Sequence, residues 1–356
     1  MKVSFFSRRA AKNAGWLVAG RILHMALAFL VNLLTARYLG PSNYGLVNYA
    51  ALYTAFFTSF ATLGLSSLLL KDFMDDPEGA GTTVGTAIAM RLLSSTLSAV
   101  SILAIVAAVD RGERLTMTVV ALYSMSLIFQ AFDTIQYWFQ SRLESKYATI
   151  ATSVGYIIVS FYKVLLLVLG KDVRWFAISN TIDYAVAALV FLGLYKWRGG
   201  PRLHISPAKG RALLRQSGSF ILCGLMVSVY NCTDRFMLKH LLDEASVGYY
   251  ATATSLATVW TFVLSAIIDS ITPGIMQAHR TDQAQFVRHN RQLYALVFYF
   301  SVAVSAVITL LARPAVSLLY GEAYLPAVRP MQVITWYTAF SYLGVARGAW
   351  VACEGK

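Results

Sequence analysis

Several charged residues lie inside long apolar stretches of this sequence, where a charge is costly to bury. A charge at the centre of a membrane helix costs about 2.5–3.5 kcal/mol on insertion scales, so it normally faces a cavity or a partner. Four of the basic residues are predicted to bind substrate in a cationic cavity: Arg21, Arg91, Lys163 and Arg235. A fifth, Arg347, lies near the end of its stretch without polar neighbours, and we expect its side chain to snorkel to the interface.

Polar residues recur at helical spacing along the same stretches. Side chains three or four positions apart share one face of a helix, so these residues form polar stripes. The residues predicted to line the cavity are His24, Asn32, Ser94, Ser98, Thr152, Tyr156, Ser160 and Asn231. Such stripes predict a water-filled cavity, although Ser and Thr also occur where membrane helices pack closely, as do glycine pairs such as Gly81 and Gly85.

The depth of the four cations suggests what the cavity carries. Arg21 and Arg91 are predicted in the cytoplasmic half of the membrane, and Lys163 and Arg235 in the opposite half. Cations at both depths suit an anionic cargo that is passed from one side to the other. Guanidinium groups also match phosphate oxygens through paired hydrogen bonds.

Carboxylates on the same helices are candidates for coupling transport to protons or sodium. They are Asp234, Asp183 and Asp269. Two alternatives stay open: Asp269, like Asp133, lies near a predicted cytoplasmic end and is compatible with a simple interfacial position, and Asp234 can serve only to neutralise Arg235.

Composition predicts the elements that carry these residues. The 356 positions are 57% hydrophobic and 13% charged, with a mean hydropathy of +0.59. A soluble domain has about twice that share of charged residues, so lipid must be the second solvent. The net charge of +13 lies in short connectors rather than on one water-facing patch, which argues against nucleic acid as a partner. Three cysteines and five scattered histidines predict neither a disulfide framework nor a metal site, and no cofactor is expected.

The fold class is therefore all-α, a polytopic bundle of transmembrane helices with about ten spans. The predicted spans are 14–36, 45–70, 84–108, 116–138, 148–169, 175–196, 218–240, 248–273, 291–312 and 329–352, with all prolines at or beyond span ends. Lys and Arg are roughly twice as frequent on the side of the N-terminus, which places that side in the cytoplasm. The basic connector 197–217 contributes most to this bias; an anionic-lipid role for it is a second interpretation.

The chain resembles itself at an offset of 203 positions. Five residues of the first copy, a cation, two glycines, a leucine and an alanine, have counterparts in the second. They are Lys12, Gly15, Leu39, Gly45 and Ala50, matched by Arg215, Gly218, Leu242, Gly248 and Ala253. Internal repeats are typical of secondary transporters with a site between the halves. We therefore predict an N-terminal lobe over 1–196, the cytoplasmic connector 197–217, and a partial C-terminal lobe over 218–356.

Short motifs in order along the chain resemble the Wzx-type polysaccharide flippases. They are Ala36-Arg37-Tyr38-Leu39-Gly40-Pro41, Tyr44-Gly45, Gly64-Leu65, Trp138-Phe139-Gln140, Gly248-Tyr249, Tyr324-Leu325-Pro326 and Glu354-Gly355-Lys356. This resemblance implies a member of the multidrug, oligosaccharidyl-lipid and polysaccharide exporter superfamily. Such proteins flip an undecaprenyl-diphosphate-linked oligosaccharide across the bacterial inner membrane for O-antigen, capsule or exopolysaccharide assembly. The family usually has more spans, so we expect either that the chain is incomplete at its C-terminus or that its second half is shortened.

The functional hypothesis is a non-enzymatic flippase that works by alternating access, because a sugar diphosphate cannot cross bare hydrocarbon with its charges and hydroxyls unsolvated. Its expected partners are the lipid-linked glycan, membrane lipid and the polymerase and chain-length proteins of polysaccharide assembly. No Walker-type motif predicts ATP hydrolysis. The alternatives are a drug/cation antiporter of the same superfamily, a membrane polymerase or glycosyltransferase, and a non-transporting assembly partner.

Overall fold

A computed structural model describes the backbone of residues 8–354 and the side chains of residue 25 and of 27–353, apart from positions 280, 349 and 352. All regular secondary structure found in this part is helical. The α-helices are α1 (Arg8–Ala61), α2 (Ser66–Asp75), α3 (Ala80–Val109), α4 (Arg114–Ser124), α5 (Ser126–Gln130), α6 (Thr134–Ser141), α7 (Ser145–Val168), α8 (Val173–Trp197), α9 (Pro207–Leu241), α10 (Glu244–Thr258), α11 (Thr261–Thr281), α12 (Gln283–Tyr320) and α13 (Val328–Glu354). The all-α class is confirmed.

Eight helical segments of the described residues are long and apolar enough to cross a membrane. They are Leu27–Asp75, Ala80–Val109, Arg114–Ser141, Ser145–Val168, Val173–Trp197, Pro207–Leu241, Thr261–His279 and Gln283–Tyr320. The chain is thus a multi-pass membrane protein, as predicted, with fewer segments than the ten expected.

The difference in number has local causes. Predicted spans 14–36 and 45–70 are joined in α1, because the chain stays helical on both sides of a kink at Gly40 (φ 71°, ψ 171°). This left-handed φ suits glycine, and Pro41 follows without a backbone N–H to lose. Predicted span 248–273 is divided into α10 and α11, and α10 alone is too short to cross. The tenth predicted span lies within α13 but is absent from the eight.

The predicted positions of the prolines are wrong in three helices, since Pro41 lies inside α1 at its kink. Pro273 lies inside α11 and Pro314 inside α12. Both helices run past the hydrocarbon length that the sequence suggested, so prolines expected just beyond a span are enclosed by helix. The apolar residues of the sequence mark the part of each helix that contacts lipid, whereas the helices continue into the interface.

The helices form two compact units, Met1–Glu244 and Ala245–Lys356. In the first unit α1 packs on α4, α7 and α9, and α7 packs along α8. Its core contains interlocking aliphatic and aromatic side chains, among them Leu65, Val84, Ile135, Phe139 and Phe191. In the second unit α12 packs on α11 and α13 around a core that includes Leu264, Phe286 and Leu293.

Helix α9 belongs to the first unit by packing, although the sequence repeat places it in the second lobe. It contacts α1 and α3. The lobes 1–196 and 218–356 stay a prediction. They were derived from a sequence repeat, whereas the two units are defined by packing.

The basic connector is an ordered strap rather than a free linker. His204 donates its backbone N–H to the carbonyl of Gly81 at 3.3 Å, and a Cβ on Gly85 would lie 2.4 Å from the His204 carbonyl oxygen. These glycines therefore let the backbone of the strap cross α3 closely. Ser206 then caps α9, which begins at Pro207, as a Ser-Pro start favours.

Candidate functional site

The first unit contains a polar cavity of about 160 Å³. Its polar lining comes from four helices, which are α1, α4, α7 and α8. The polar residues are Asn32, Thr35, Tyr44, Asn48, Tyr123, Lys163, Ser179 and Asn180. Of the predicted site residues, Asn32 and Lys163 line this cavity, which we call the Lys163 cavity.

Several lining groups already have partners on their own helices. Thr35 Oγ1 donates to the Val31 carbonyl at 2.7 Å, and Ser179 Oγ donates to the Phe176 carbonyl at 2.5 Å. Asn48 Nδ2 donates to the Tyr44 carbonyl at 2.9 Å. In the part of the chain that the structure describes, no hydrogen bond engages the side chains of Asn32, Lys163 or Asn180. Their donors are thus available to a ligand or to water.

Asp183 on α8 is the carboxylate that acts electrostatically on Lys163. Gly155 on α7 makes this possible, because a Cβ there would lie 3.0 Å from both the carbonyl oxygen and Oδ1 of Asp183. The predicted lining residues Tyr156 and Ser160 are buried on the same helix, and Tyr156 also feels the charge of Asp183. One carboxylate therefore partly balances the cation of the Lys163 cavity.

The size of the Lys163 cavity limits what it can hold. A volume of about 160 Å³ corresponds to roughly five waters in the liquid. Ligand pockets for whole drug-sized molecules measure about 300–1,000 Å³. The cavity therefore has room for one phosphate or one polar sugar group, but not for a whole drug-sized molecule.

Arg91 does not line this cavity. It is 1% exposed, and its Nε donates to the Thr62 carbonyl at 3.2 Å while Nη1 donates to Thr134 Oγ1 at 3.3 Å. Its guanidinium also lies 5.8 Å from the Tyr137 ring centroid. Thr62 follows the end of α1, and its carbonyl also accepts from the Leu65 backbone N–H at 3.2 Å. Arg91 therefore adds a charged donor to this carbonyl and favours the negative end of the helix.

Two further predicted residues on α3 have structural surroundings of the same kind. Ser94 Oγ donates to the Phe60 carbonyl at 2.6 Å, again at the end of α1, and Ser98 is buried. The stripe on this helix therefore binds α1 rather than lining the Lys163 cavity.

Arg235 on α9 lies near the Lys163 cavity, since its charge acts on the lining residues Tyr44 and Tyr123. Its Nε has no hydrogen-bond partner among the described residues. Asp234 precedes it and accepts a hydrogen bond from the Arg235 backbone N–H at 2.7 Å. Asn231 is exposed on the same helix.

The remaining predicted residues are not brought to the cavity. Thr152 is exposed and bonds to carbonyls of its own helix, at 3.1 Å to Ala148. Asp269 is exposed in the second unit. The side chains of Arg21 and His24 lie outside the described residues.

The sequence reasoning missed part of the cavity lining. Tyr44 and Asn48, both missed, lie four positions apart on α1, and the missed Asn180 lies three positions before the predicted Asp183 on α8. Both pairs follow the spacing of a helix face and could have been found as stripes. Tyr44, Asn48 and Asn180 are uncharged, so the cost of burying a charge does not single them out.

A second polar cluster, also missed, joins α1 and α9 to the α3–α4 connector. Tyr49 Oη is 3.0 Å from Asp110 Oδ2, to which it donates, and 3.0 Å from His240 Nε2. Lys239 Nζ pairs with Glu113 Oε2 at 3.0 Å and also with Glu244. These connectors were predicted on the side opposite the N-terminus, and their contact places them at one end of the bundle.

Two carboxyls of this cluster, Asp110 and Glu113, have shifted pKa values. Burial raises the pKa of Asp110 above its usual value. Burial also acts to raise the pKa of Glu113, but the hydrogen bonds from Thr116 and Lys239 outweigh it, so that pKa lies below its usual value. A hydrogen bond or a nearby cation stabilises the charged form of a carboxyl, whereas burial penalises it.

A known protein family matches most of this sequence. The family described as "Polysaccharide biosynthesis protein" matches residues 34–329. No curated protein matches the sequence.

Solved structures of multidrug-transporter type have a similar fold. A MATE family transporter of the MOP superfamily, in an inward-facing conformation, has a TM-score of 0.71 at 16% identity, over 93% of this chain and 81% of that chain. A MATE protein in complex with MaD3S has a TM-score of 0.61 at 16% identity, over 97% and 84%. A MOP superfamily transporter from Pyrococcus furiosus, whose binding pocket is described as having reverse polarity, has 0.62 at 16%, over 97% and 83%.

Proposed function

This chain belongs to the polysaccharide biosynthesis protein family, as its motifs indicated, and we propose that it flips an undecaprenyl-diphosphate-linked oligosaccharide across the bacterial inner membrane. It is a multi-pass membrane protein with the fold of transporters of the MOP superfamily. The sugar unit would move from the cytoplasm to the periplasm by alternating access, for O-antigen, capsule or exopolysaccharide assembly. The N-terminus would be cytoplasmic, and no enzymatic step is proposed.

The observation that carries this proposal is the Lys163 cavity. It offers an unsatisfied ammonium with the amides of Asn32 and Asn180 within one polar pocket. An ammonium and amide donors are suited to phosphate oxygens or sugar hydroxyls. Arg235 adds a second positive charge beside the tyrosines of the lining. Arg21 keeps its proposed role in capturing the diphosphate, and Asp183 is the coupling carboxylate we favour because its charge acts on Lys163.

The role proposed for Arg91 is narrower than the sequence suggested. Its guanidinium is engaged by protein groups, and Nη2 alone has no partner among the described residues. We therefore assign substrate contact first to Lys163 and Arg235, and leave Arg91 with a supporting role in the position of α1.

The test is translocation of a labelled lipid-linked oligosaccharide in vesicles that contain the purified chain. We expect Lys163→Gln to lower the initial rate at least about tenfold, because one charged hydrogen bond contributes about 1.5–3 kcal/mol. The matched control is Lys171→Gln, an exposed lysine of a connector outside the cavity. Equal rates in wild type and Lys163→Gln would defeat the assignment.

A drug/cation antiporter is the second candidate, because Asp183 brings a negative charge to the same cavity. It predicts efflux of a lipophilic cation from the same vesicles, blocked by Asp183→Asn. Efflux of the cation without oligosaccharide translocation would favour that function over flipping.

A further inference from the structure

Basic and aromatic side chains meet at one end of the first unit, where α6 passes into α7 and where α8 ends. The Arg142 guanidinium lies 4.8 Å from the Trp138 ring centroid, and Lys146 Nζ lies 4.6 Å from that of Tyr147. The Arg198 guanidinium lies 5.0 Å from the Tyr147 centroid and 5.8 Å from that of Trp197. We call these three cations and three rings the cation–aromatic platform.

The platform carries more positive charge than its surroundings neutralise. Glu144 accepts a hydrogen bond from Arg198 Nη2 at 2.8 Å. Within the described part of the chain, neither Arg142 nor Lys146 has a carboxylate at ion-pair distance. Both are exposed. Two cations thus stay open to a partner of opposite charge.

Apolar side chains are exposed beside these cations. Trp197 is 71% exposed and Leu143 is 47% exposed. Leu143 also has a left-handed backbone with φ 54°, which costs a non-glycine residue about 1 kcal/mol or more. The strained turn directs a large apolar side chain outward next to Arg142. Tryptophan with neighbouring cations is typical of the boundary between lipid headgroups and acyl chains.

The platform is fixed in position before any ligand arrives. Tyr195 Oη donates to the Pro201 carbonyl at 2.8 Å, which holds the turn that carries Trp197 and Arg198. The Glu144 backbone N–H donates to the Phe139 carbonyl at 2.9 Å and closes the turn at Leu143. The ring of Tyr147 lies 6.1 Å from that of Trp197 and links the two turns. A preorganised site loses less conformational entropy when it binds.

We propose that the cation–aromatic platform binds the phosphate-bearing headgroup of an anionic membrane phospholipid, with Trp197 and Leu143 at the acyl boundary. The open charges of Arg142 and Lys146 complement the phosphate, and the exposed apolar side chains favour a lipid over a soluble anion. The platform lies on connectors predicted to be cytoplasmic, where the leaflet is rich in anionic lipid. This inference is independent of the cargo that the protein carries.

The experiment titrates the purified full chain in neutral detergent with phosphatidylglycerol or phosphatidylcholine and counts bound lipids by native mass spectrometry. The test variant is Arg142→Gln with Lys146→Gln. The matched control is Lys171→Gln with Arg174→Gln, which removes one exposed lysine from the α7–α8 connector and one exposed arginine from the first turn of α8.

We expect the wild type to prefer phosphatidylglycerol, and the test variant to bind it roughly tenfold or more weakly, since each basic residue near a surface adds about 1 kcal/mol. The control variant should change binding less than about twofold. No preference in the wild type, or equal loss in both variants, would overturn the proposal. Equally strong competition by inorganic diphosphate would overturn it as well, because the site would then recognise a soluble anion.

A second measurement reports on Trp197. Phosphatidylglycerol brominated near the top of its acyl chains should quench the fluorescence of the wild type more than that of Trp197→Phe. Equal quenching of the two proteins would place Trp197 away from the acyl boundary and contradict the proposal.

Discussion

Arg91 and Lys163 are both cations inside apolar stretches with the same predicted role, yet their surroundings differ. Arg91 is enclosed, and it donates to the Thr62 carbonyl and to Thr134. Lys163 lines a cavity, with its ammonium facing polar side chains that it does not bond. The cost of placing a charge in a membrane helix is offset by hydrogen-bond acceptors for Arg91, and by a polar cavity with the charge of Asp183 for Lys163. The charge of a residue and its depth in the membrane therefore indicate a functional or structural role. Its hydrogen-bond acceptors show which of the two it has.

The largest expected effect is on the stability that Arg91 provides. We expect Arg91→Met to lower the free energy of unfolding by on the order of 3 kcal/mol, because Thr62 and Asp133 lose their cationic partner in a buried place. Denaturation in detergent measures this. The control is Arg347→Met, which removes an exposed arginine of α13 and should change stability far less. A fully stable Arg91→Met protein without transport would instead make Arg91 a binding residue and erase the contrast with Lys163.

A double-mutant cycle sharpens the other side of the comparison. Lys163→Met and Asp183→Asn each remove one charge of an interacting pair, so each single change leaves the other charge without its partner. We expect a coupling free energy of about 1–2 kcal/mol in stability, with the double variant less destabilised than the sum. Additive losses would mean that the two charges do not act on each other.

The close approach of α7 and α8 at the Lys163 cavity rests on Gly155. A Cβ there meets the carbonyl oxygen and Oδ1 of Asp183 at 3.0 Å, so Gly155→Ala should destabilise the protein by about 1 kcal/mol and slow transport. Gly193→Ala is the matched control, because a Cβ added at Gly193 would have nothing within 4 Å. That variant should be neutral or more stable by up to about 1 kcal/mol, as expected for alanine in a helix. A harmless Gly155→Ala would show that the helices separate without cost.

The smallest effect concerns pH and the second polar cluster. Since the pKa of Asp110 is raised by burial, the folded state holds this proton more tightly than the unfolded state. Stability contributed at Asp110 therefore falls as pH rises through and above the ordinary value of 3.8. We expect Asp110→Asn to gain stability relative to wild type between about pH 4 and about pH 8, by less than about 1 kcal/mol.

The pKa of Glu113 is shifted in the opposite direction from that of Asp110, so its contribution to stability depends on pH with the opposite sign. Its pKa is lowered by the Thr116 and Lys239 contacts despite burial, so its contribution is present above its ordinary pKa and is lost as pH falls. Glu113→Gln should therefore lose stability relative to wild type as pH rises, whereas Asp110→Asn gains it. Denaturation series over this pH range measure both, and parallel slopes in the two variants would contradict the assignment.

The sequence by itself determined the solvent and the secondary structure. Its apolar composition required a helical membrane protein, because helices satisfy their own backbone groups in lipid. Its motifs indicated the family that residues 34–329 match. The alternation of the predicted spans also placed the connectors of Glu144 and Arg198 at one end, and the ion pair between these residues joins them.

Only the tertiary structure decided which buried charges bind protein and which face a cavity. Asn32 and Lys163 share a cavity, but the stripe of Arg91 and Ser94 serves the end of α1. Helical spacing gives the face on which a side chain lies, but the partner opposite that face comes from a distant part of the chain. The kink at Gly40 and the strap across Gly85 show the same limit, since both depend on how one segment meets another. The sequence shows the periodicity of polar residues and the energetic cost of burying their charges. Which residue lies opposite each of them depends on how the helices pack.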